Sequence, residues 1–153
     1  MAAVSDVAQC ILELTGPISS WKLQKLVYYS QAWHAIWEDR ALFNARIEAW
    51  ANGPVCRELY DRHRGEFIVT SFEGADCSRL DEGERETVSL VVDFYGKFDG
   101  QRLSDLTHME SPWKNARSGL SPSERSNVEI TLEAMSEYYG GLLGGERKEE
   151  AQG

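Results

Sequence analysis

The residues best placed to do chemistry are His108 and Glu110, two positions apart in one predicted turn. An imidazole and a carboxylate at this spacing can both reach a metal ion, or they can exchange protons with a substrate. Two ligands are too few for a closed or catalytic metal site, and the other histidines have no partner at ligand spacing. The pattern therefore favours Thr107 and His108 as capping or hydrogen-bonding groups that fix the turn before Pro112 and Trp113. A hydrolase that uses His108 and Glu110 stays as the less favoured alternative.

The cysteines offer no better candidate for a reaction centre. Cys10, Cys56 and Cys77 are odd in number and widely spaced, a pattern more typical of reduced thiols than of a disulfide framework. Cys56 is predicted near a helix start, where the helix dipole would lower its pKa, but no histidine is in register with it. We therefore expect Cys56 to be a small packed residue, and we expect no enzymatic activity and no cofactor.

Aromatic residues are concentrated near the start of the chain, where four of the five tryptophans lie between positions 21 and 50. Aromatic side chains at this density indicate a tightly packed scaffold or a surface that recognises a protein partner. Trp33 and Trp37 lie on a predicted apolar stripe, so we expect them in the core. Trp21 and Trp50 flank predicted turns, and we expect them to be more open.

Charge excludes several classes of partner. The 153 residues include 16 basic and 25 acidic side chains, which give a net charge of −9. An acidic surface repels nucleic acids and anionic membranes, so a basic protein is the better candidate partner. The N-terminal sequence lacks the features of a signal peptide, and no apolar run reaches the roughly 18 residues of a membrane span. We therefore expect a soluble cytoplasmic domain.

The strongest predicted helix spans Trp21–Glu38 and should lie at the centre of the domain. Ser19 or Ser20 is available as its N-cap. Its apolar stripe consists of Leu23, Leu26, Val27, Ser30, Trp33 and Trp37. Its opposite side carries polar residues, namely Lys22, Gln24, Lys25, Gln31 and Glu38. This distribution predicts an amphipathic helix with one deeply buried face.

A turn at Gly53-Pro54 follows this helix. Proline suits the first position of a helix, so residues 55–62 are predicted as a third helix that begins there. Residues 67–72 have β-like composition and are predicted as a short strand or an extended connector. No alternating partner lies nearby, and we therefore expect little or no sheet.

Further helix starts are marked by capping patterns. Asp81-x-x-Glu84 resembles a capping box and should open a fourth helix, and residues 121–124 have the same pattern. Thr131 should cap the last helix. Residues 144–153 have nothing to bury and are expected to form a disordered, charged tail. The sequence thus predicts one all-α domain over residues 1–143.

Three motifs together resemble the Panacea domain of antitoxins from bacterial and phage toxin–antitoxin pairs. They read K-L-Q-K-L-V-Y-Y at 22–29, I-E-A-W-A-N-G-P-V at 47–55 and L-T-H-M-E-S-P-W at 106–113. The order and spacing extend over nearly the whole chain, from about residue 4 to residue 142. The positions that carry the match are Lys22, Gln24, Lys25, Tyr28, Trp50, Gly53, Pro54, Tyr60, Thr107, His108, Glu110, Pro112 and Trp113.

The resemblance implies a mostly helical domain that neutralises a toxin, encoded by an adjacent gene, through direct protein contact. One branch of the family instead acts as a proteolytic adaptor that delivers its toxin to an ATP-dependent protease. Because the scaffold pairs with very different toxins, the resemblance does not identify this partner. It implies that the matched positions are structural or partner-binding.

Overall fold

The fold is mostly helical and contains two small antiparallel sheets. The computed structural model describes residues 1–152, with side chains described for residues 1–143. The helices are α1 Val4–Thr15, α2 Ser20–Trp37, α3 Arg57–His63, α4 Glu82–Tyr95, α5 Gly100–His108, α6 Ser111–Ala116 and α7 Leu132–Gln152. The strands are β1 Ile18–Ser19, β2 Ile47–Trp50, β3 Gly53–Cys56 and β4 Ile68–Val69, and a short 3-10 helix spans Cys77–Arg79.

Helix α2 packs against α1, α4, α5 and α7. It starts where the sequence predicts, because Ser19 Oγ accepts a hydrogen bond from the backbone N–H of Lys22 at 3.1 Å. Its apolar stripe is buried from Leu23 to Ser30, and Leu26 has no exposed surface. An amphipathic helix is not confirmed, however, because Gln24, Lys25 and Gln31 on the predicted polar side are also buried. Strand β3 and helix α5 pack against α2, so more than one of its faces is covered.

The third helix begins later than predicted. Pro54 lies in β3, which pairs antiparallel with β2, and α3 begins only at Arg57. Trp50 pairs with Gly53 across a two-residue turn, and the four residues that follow the turn form the second strand of the hairpin. Gly53 has a φ of +122°, a region that side chains disfavour. The hairpin is a tertiary feature that the helix-start preference of proline does not reveal.

Two of the other three capping predictions are confirmed. Asp81 and Glu84 form a reciprocal capping box at the start of α4, and Thr131 Oγ1 accepts from the Ala134 N–H at 3.1 Å. The predicted helix after residues 121–124 is wrong, since this segment is a turn in which the Ser121 carbonyl accepts from the Glu124 N–H. The carbonyls of this turn are bound by Arg117, as described below.

The cysteine prediction is wrong for two of the three residues. Cys10 on α1 and Cys77 in the 3-10 helix form a disulfide, with their Cα atoms 4.8 Å apart. They are separated by 67 positions in sequence, so only the packing of these two elements brings them together. Cys56 is free and buried, and burial raises the pKa of its thiol to about 11. It is a packed residue, as predicted.

We expect alkylation to distinguish these cysteines. When the purified protein is denatured without reductant, iodoacetamide should modify Cys56 alone, because the disulfide protects the other two sulfurs. Intact mass spectrometry should then show one adduct, rising to three after reduction. Three adducts in unreduced, freshly denatured protein would show that Cys10 and Cys77 are free thiols.

The side chains that are described end at residue 143, and the predicted disorder of residues 144–153 lies outside them. No helix among the described residues is long and apolar enough to cross a membrane.

Candidate functional site

The buried amide of Gln24 joins α2 to the hairpin. Its Oε1 accepts a hydrogen bond from the backbone N–H of Cys56 at 2.8 Å, and its Nε2 donates to the carbonyl of the same residue at 3.3 Å. The amide thus pairs with the backbone N–H and carbonyl of the last residue of β3, as the backbone of a neighbouring strand would. Its Nε2 also lies 2.9 Å from Nε2 of His63, whose pKa is lowered by burial. Gln24 is therefore a structural residue that fixes the hairpin.

Lys25 is enclosed between the hairpin turn and α5. A Cβ placed on Gly53 would lie 2.5 Å from Lys25 Cε and 3.2 Å from Thr107 Oγ1, so only glycine permits this approach. Burial lowers the pKa of the Lys25 amine to about 8. Thr107 Oγ1 donates to the carbonyl of Ser104, one turn earlier in α5, at 2.7 Å. These motif positions meet because the hairpin and α5 cover the same face of α2.

His108 and Trp113 form a stacked pair that holds α6 against the hairpin. Their rings are 4.0 Å apart and nearly parallel, and Trp113 Nε1 donates to the carbonyl of Trp50 at 2.8 Å. Trp50 is half-buried and makes an edge-on contact with Tyr60, with ring centroids 4.9 Å apart. Burial and the nearby Lys25 amine lower the pKa of His108, which favours the neutral imidazole. His108 Nε2 has no hydrogen-bond partner among the described residues.

Glu110 belongs to a cluster of tyrosines. Its Oε1 accepts hydrogen bonds from Tyr29 Oη at 2.7 Å and Tyr139 Oη at 2.8 Å, and Tyr28 Oη lies 3.1 Å from Tyr139 Oη. Burial raises the pKa of the Glu110 carboxyl. The structure thus places His108 against an indole and Glu110 against phenols. Within the described residues, no group of three or more His, Cys, Asp and Glu side chains could hold a metal ion.

The remaining motif residues also join elements. Lys22 Nζ donates to the carbonyl of Gly96 at 2.6 Å, which ties α2 to the end of α4. Pro112 is buried in the first turn of α6. Most of the motif positions are thus buried, and they bring the hairpin, α5 and α6 together around α2.

Sequence reasoning missed Arg117, which is 4% exposed. Its guanidinium donates to the carbonyl of Ala49 in β2 and to the carbonyls of Ser121 and Glu124 in the turn before α7. It also lies over the ring of Trp113, 5.1 Å from the centroid. The available signal was the spacing, because Arg117 directly follows α6 and lies four residues after Trp113, the separation at which helical side chains meet.

An exposed apolar groove was also missed. Trp37 is 42% exposed, which contradicts the prediction that it lies in the core, whereas Trp33 is half-buried and stacks on it at 5.4 Å. Leu90 and Phe94 of α4 are also exposed, and so is Leu142 of α7. Together these side chains line a groove of about 470 Å³, here called the tryptophan groove. The sequence of α4 could have indicated this groove. Its apolar residues occupy more of the helix circumference than one buried stripe requires, so some of them must be exposed or contact a partner.

Comparison with known proteins places this arrangement in a family. The family model described as "Antitoxin SocA-like, Panacea domain" matches residues 23–114, which is more than half of the chain. The chain belongs to this family. The matched segment of this SocA-like domain runs from α2 through most of α6 and contains the hairpin and the buried motif residues. Neither a curated protein nor a solved structure is significantly similar to the chain.

Proposed function

We propose that this protein is the antitoxin of a toxin–antitoxin pair, and that it neutralises a toxin encoded by the adjacent gene by binding it directly in the cytoplasm. The observation that carries the proposal is the match to the SocA-like antitoxin domain over residues 23–114. The matched segment includes most of α2, the hairpin, α4, α5 and most of α6, whereas α1 and α7 lie outside it.

Binding without catalysis is supported by the surroundings of the two residues best suited to acid–base chemistry. Glu110 Oε1 already accepts two phenolic hydrogen bonds, and His108 lies flat against Trp113. A general base needs hydrogen-bond reach to a substrate proton, directly or through one water. Two residues held in separate aromatic clusters fit a structural role better, and no cofactor is needed.

The net charge of −9 favours a basic toxin. Complementary charge mostly accelerates association, while a few aromatic or apolar anchors keep the complex together. Raising the salt concentration should therefore slow association more than it speeds dissociation.

Co-expression with the adjacent gene product tests the proposal. Alone, this protein should be harmless, and together with its neighbour it should restore growth and co-purify as a stoichiometric complex. His108→Gln should rescue equally well, because an amide can occupy the site without acid–base chemistry. Loss of rescue in a His108→Gln variant that still folds and binds would favour the hydrolase.

A protease-deficient strain separates binding from proteolytic delivery. Direct neutralisation predicts that rescue and the complex persist when ATP-dependent proteases are absent. Rescue without a detectable complex, or rescue that needs a protease and removes the toxin, would contradict direct neutralisation and support an adaptor.

A further inference from the structure

The tryptophan groove lies between two rows of side chains. Trp33 and Trp37 are one helical turn apart on α2, and Leu90 and Phe94 are one turn apart on α4. Leu142 of α7 also lines the groove. Phe94 is 59% exposed and Leu90 is 45% exposed, which is unusual for large apolar residues that lie side by side. An exposed apolar cluster of this kind is typical of a protein interface.

Residues 144–153 offer poor material to fill the groove. Leu142 and Leu143 line it, and the sequence continues as G-G-E-R-K-E-E-A-Q-G. Those ten residues contain no aromatic and no large aliphatic side chain, so they cannot supply apolar anchors. An external partner is the better candidate for such contacts.

Charge beside the groove identifies the chemistry of that partner. A shallow extension of the groove at Trp37 and Leu90 is lined by Glu38 and Glu86. The Glu110 carboxylate contributes to the lining of the groove itself, and no described residue donates a hydrogen bond to its Oε2. A lysine or arginine of a partner could form ion pairs or hydrogen bonds with these carboxylates. A second copy of this chain would instead bring its own carboxylates and its net charge of −9 against them.

A basic side chain, Lys97, lies beside Phe94. Its Nζ lies 5.4 Å from the centre of the Phe94 ring. The groove therefore runs from an acidic end at Glu38 and Glu86 towards a basic side chain beside Phe94. A partner that fits it carries its positive charge at the Trp37 end.

We propose that the tryptophan groove is the docking site for the toxin, and that its occupant is an amphipathic helix with a lysine or arginine beside its apolar face. This inference rests on the proposed antitoxin function. The apolar residues of such a helix recur at intervals of three or four positions, which matches the one-turn spacing of the two rows. The basic residue lies over Glu38 and Glu86, and the apolar face lies on Trp37, Leu90 and Phe94.

Substitutions on α4 test the groove. Leu90→Lys and Phe94→Lys keep good helix formers at exposed positions, so the melting temperature should stay close to that of the wild type. Each should weaken binding of the purified adjacent gene product by at least about 30-fold, the loss typical of an interface hot spot. Phe67→Lys is the matched control, because Phe67 is 75% exposed and does not line the groove, and its affinity should equal that of the wild type.

The sign of the introduced charge tests the chemistry of the occupant. Leu90→Glu removes the same apolar contact as Leu90→Lys but keeps the groove acidic, so it should bind more tightly than Leu90→Lys. Equal affinities, or a weaker Leu90→Glu complex, would overturn the assignment of a basic helix.

Other outcomes would overturn the docking site itself. If wild type and both lysine variants bind equally well, the antitoxin function stands and the groove is not its interface. Sedimentation that shows a homodimer, dissociated by Phe94→Lys, would place a second copy in the groove. Loss of binding on deletion of residues 144–153, with both lysine variants unaffected, would move the contact to the C-terminal segment. If the wild type does not bind, the proposed function and this inference both fail.

Discussion

Replacing Arg117 with methionine is expected to lower the free energy of unfolding by about 3–5 kcal/mol, since several carbonyl groups lose their hydrogen-bond donor at once. The Arg117 guanidinium lies 2.9 Å from the Ala49 carbonyl, 3.0 Å from that of Ser121 and 2.6 Å from that of Glu124. Methionine fills much of the same volume but donates nothing. Chemical denaturation followed by circular dichroism measures the change.

Two variants control for this result. Arg117→Lys retains the positive charge but not the planar fork of donors, so its loss should be intermediate. Arg125→Met removes an exposed arginine from the same turn and should change stability by no more than about 0.5 kcal/mol. If Arg117→Met were as mild as Arg125→Met, the turn before α7 would not depend on the guanidinium.

Replacing Lys25 with methionine is expected to stabilise the protein at neutral pH. Burial lowers the pKa of Lys25 from 10.5 to about 8, which corresponds to about 3 kcal/mol of preference for the neutral amine in the folded state. Between these two values the unfolded chain binds more protons than the folded one, so the stability of the wild type should rise with pH. Below pH 8 the burial of the charged amine destabilises the folded state by this full amount, and above pH 10.5 the destabilisation disappears because the amine is neutral in both states. Lys25→Met lacks this cost at every pH.

The quantity to measure is the stability difference between Lys25→Met and the wild type at several pH values from 7 to 10. Burial raises the pKa of the Cys56 thiol to about 11 and also raises the pKa values of the buried tyrosines. These groups begin to ionise in the unfolded chain in the upper part of this pH range, but they do so equally in both proteins. The advantage of Lys25→Met should therefore shrink as pH rises. Lys114→Met, at an exposed position, should show no such trend. An advantage that stays constant with pH would show that packing, and not ionisation, causes it.

Features that depend on neighbouring residues in the sequence could be predicted. The start of α2 at Ser19, the capping box at Asp81 and the cap at Thr131 each involve groups within three positions of one another. The mostly helical class follows from the same local patterns. The family resemblance also depends on motifs of about eight residues whose order survives in the chain.

Features that depend on distant residues could not be predicted. The β2–β3 hairpin overrides the preference of Pro54 for a helix start, because pairing with β2 satisfies the backbone of β3. Gln24 and Lys25 occupy polar positions of an apparently amphipathic helix, yet the hairpin and α5 cover that side and bury them. The spacing of hydrophobic residues indicates which side of a helix is apolar. It does not indicate how many other helices and strands will pack against that helix.

The exposed and buried residues show the same difference between what the sequence and the tertiary structure determine. The sequence by itself determined the helical class, the helix caps and the membership of an antitoxin family, because local patterns and ordered motifs carry that information. Only the tertiary structure decided that most of the motif residues are buried and that Trp37, Leu90 and Phe94 are exposed together. The physical reason is that exposure depends on what the rest of the chain leaves uncovered, and packing between distant elements sets that.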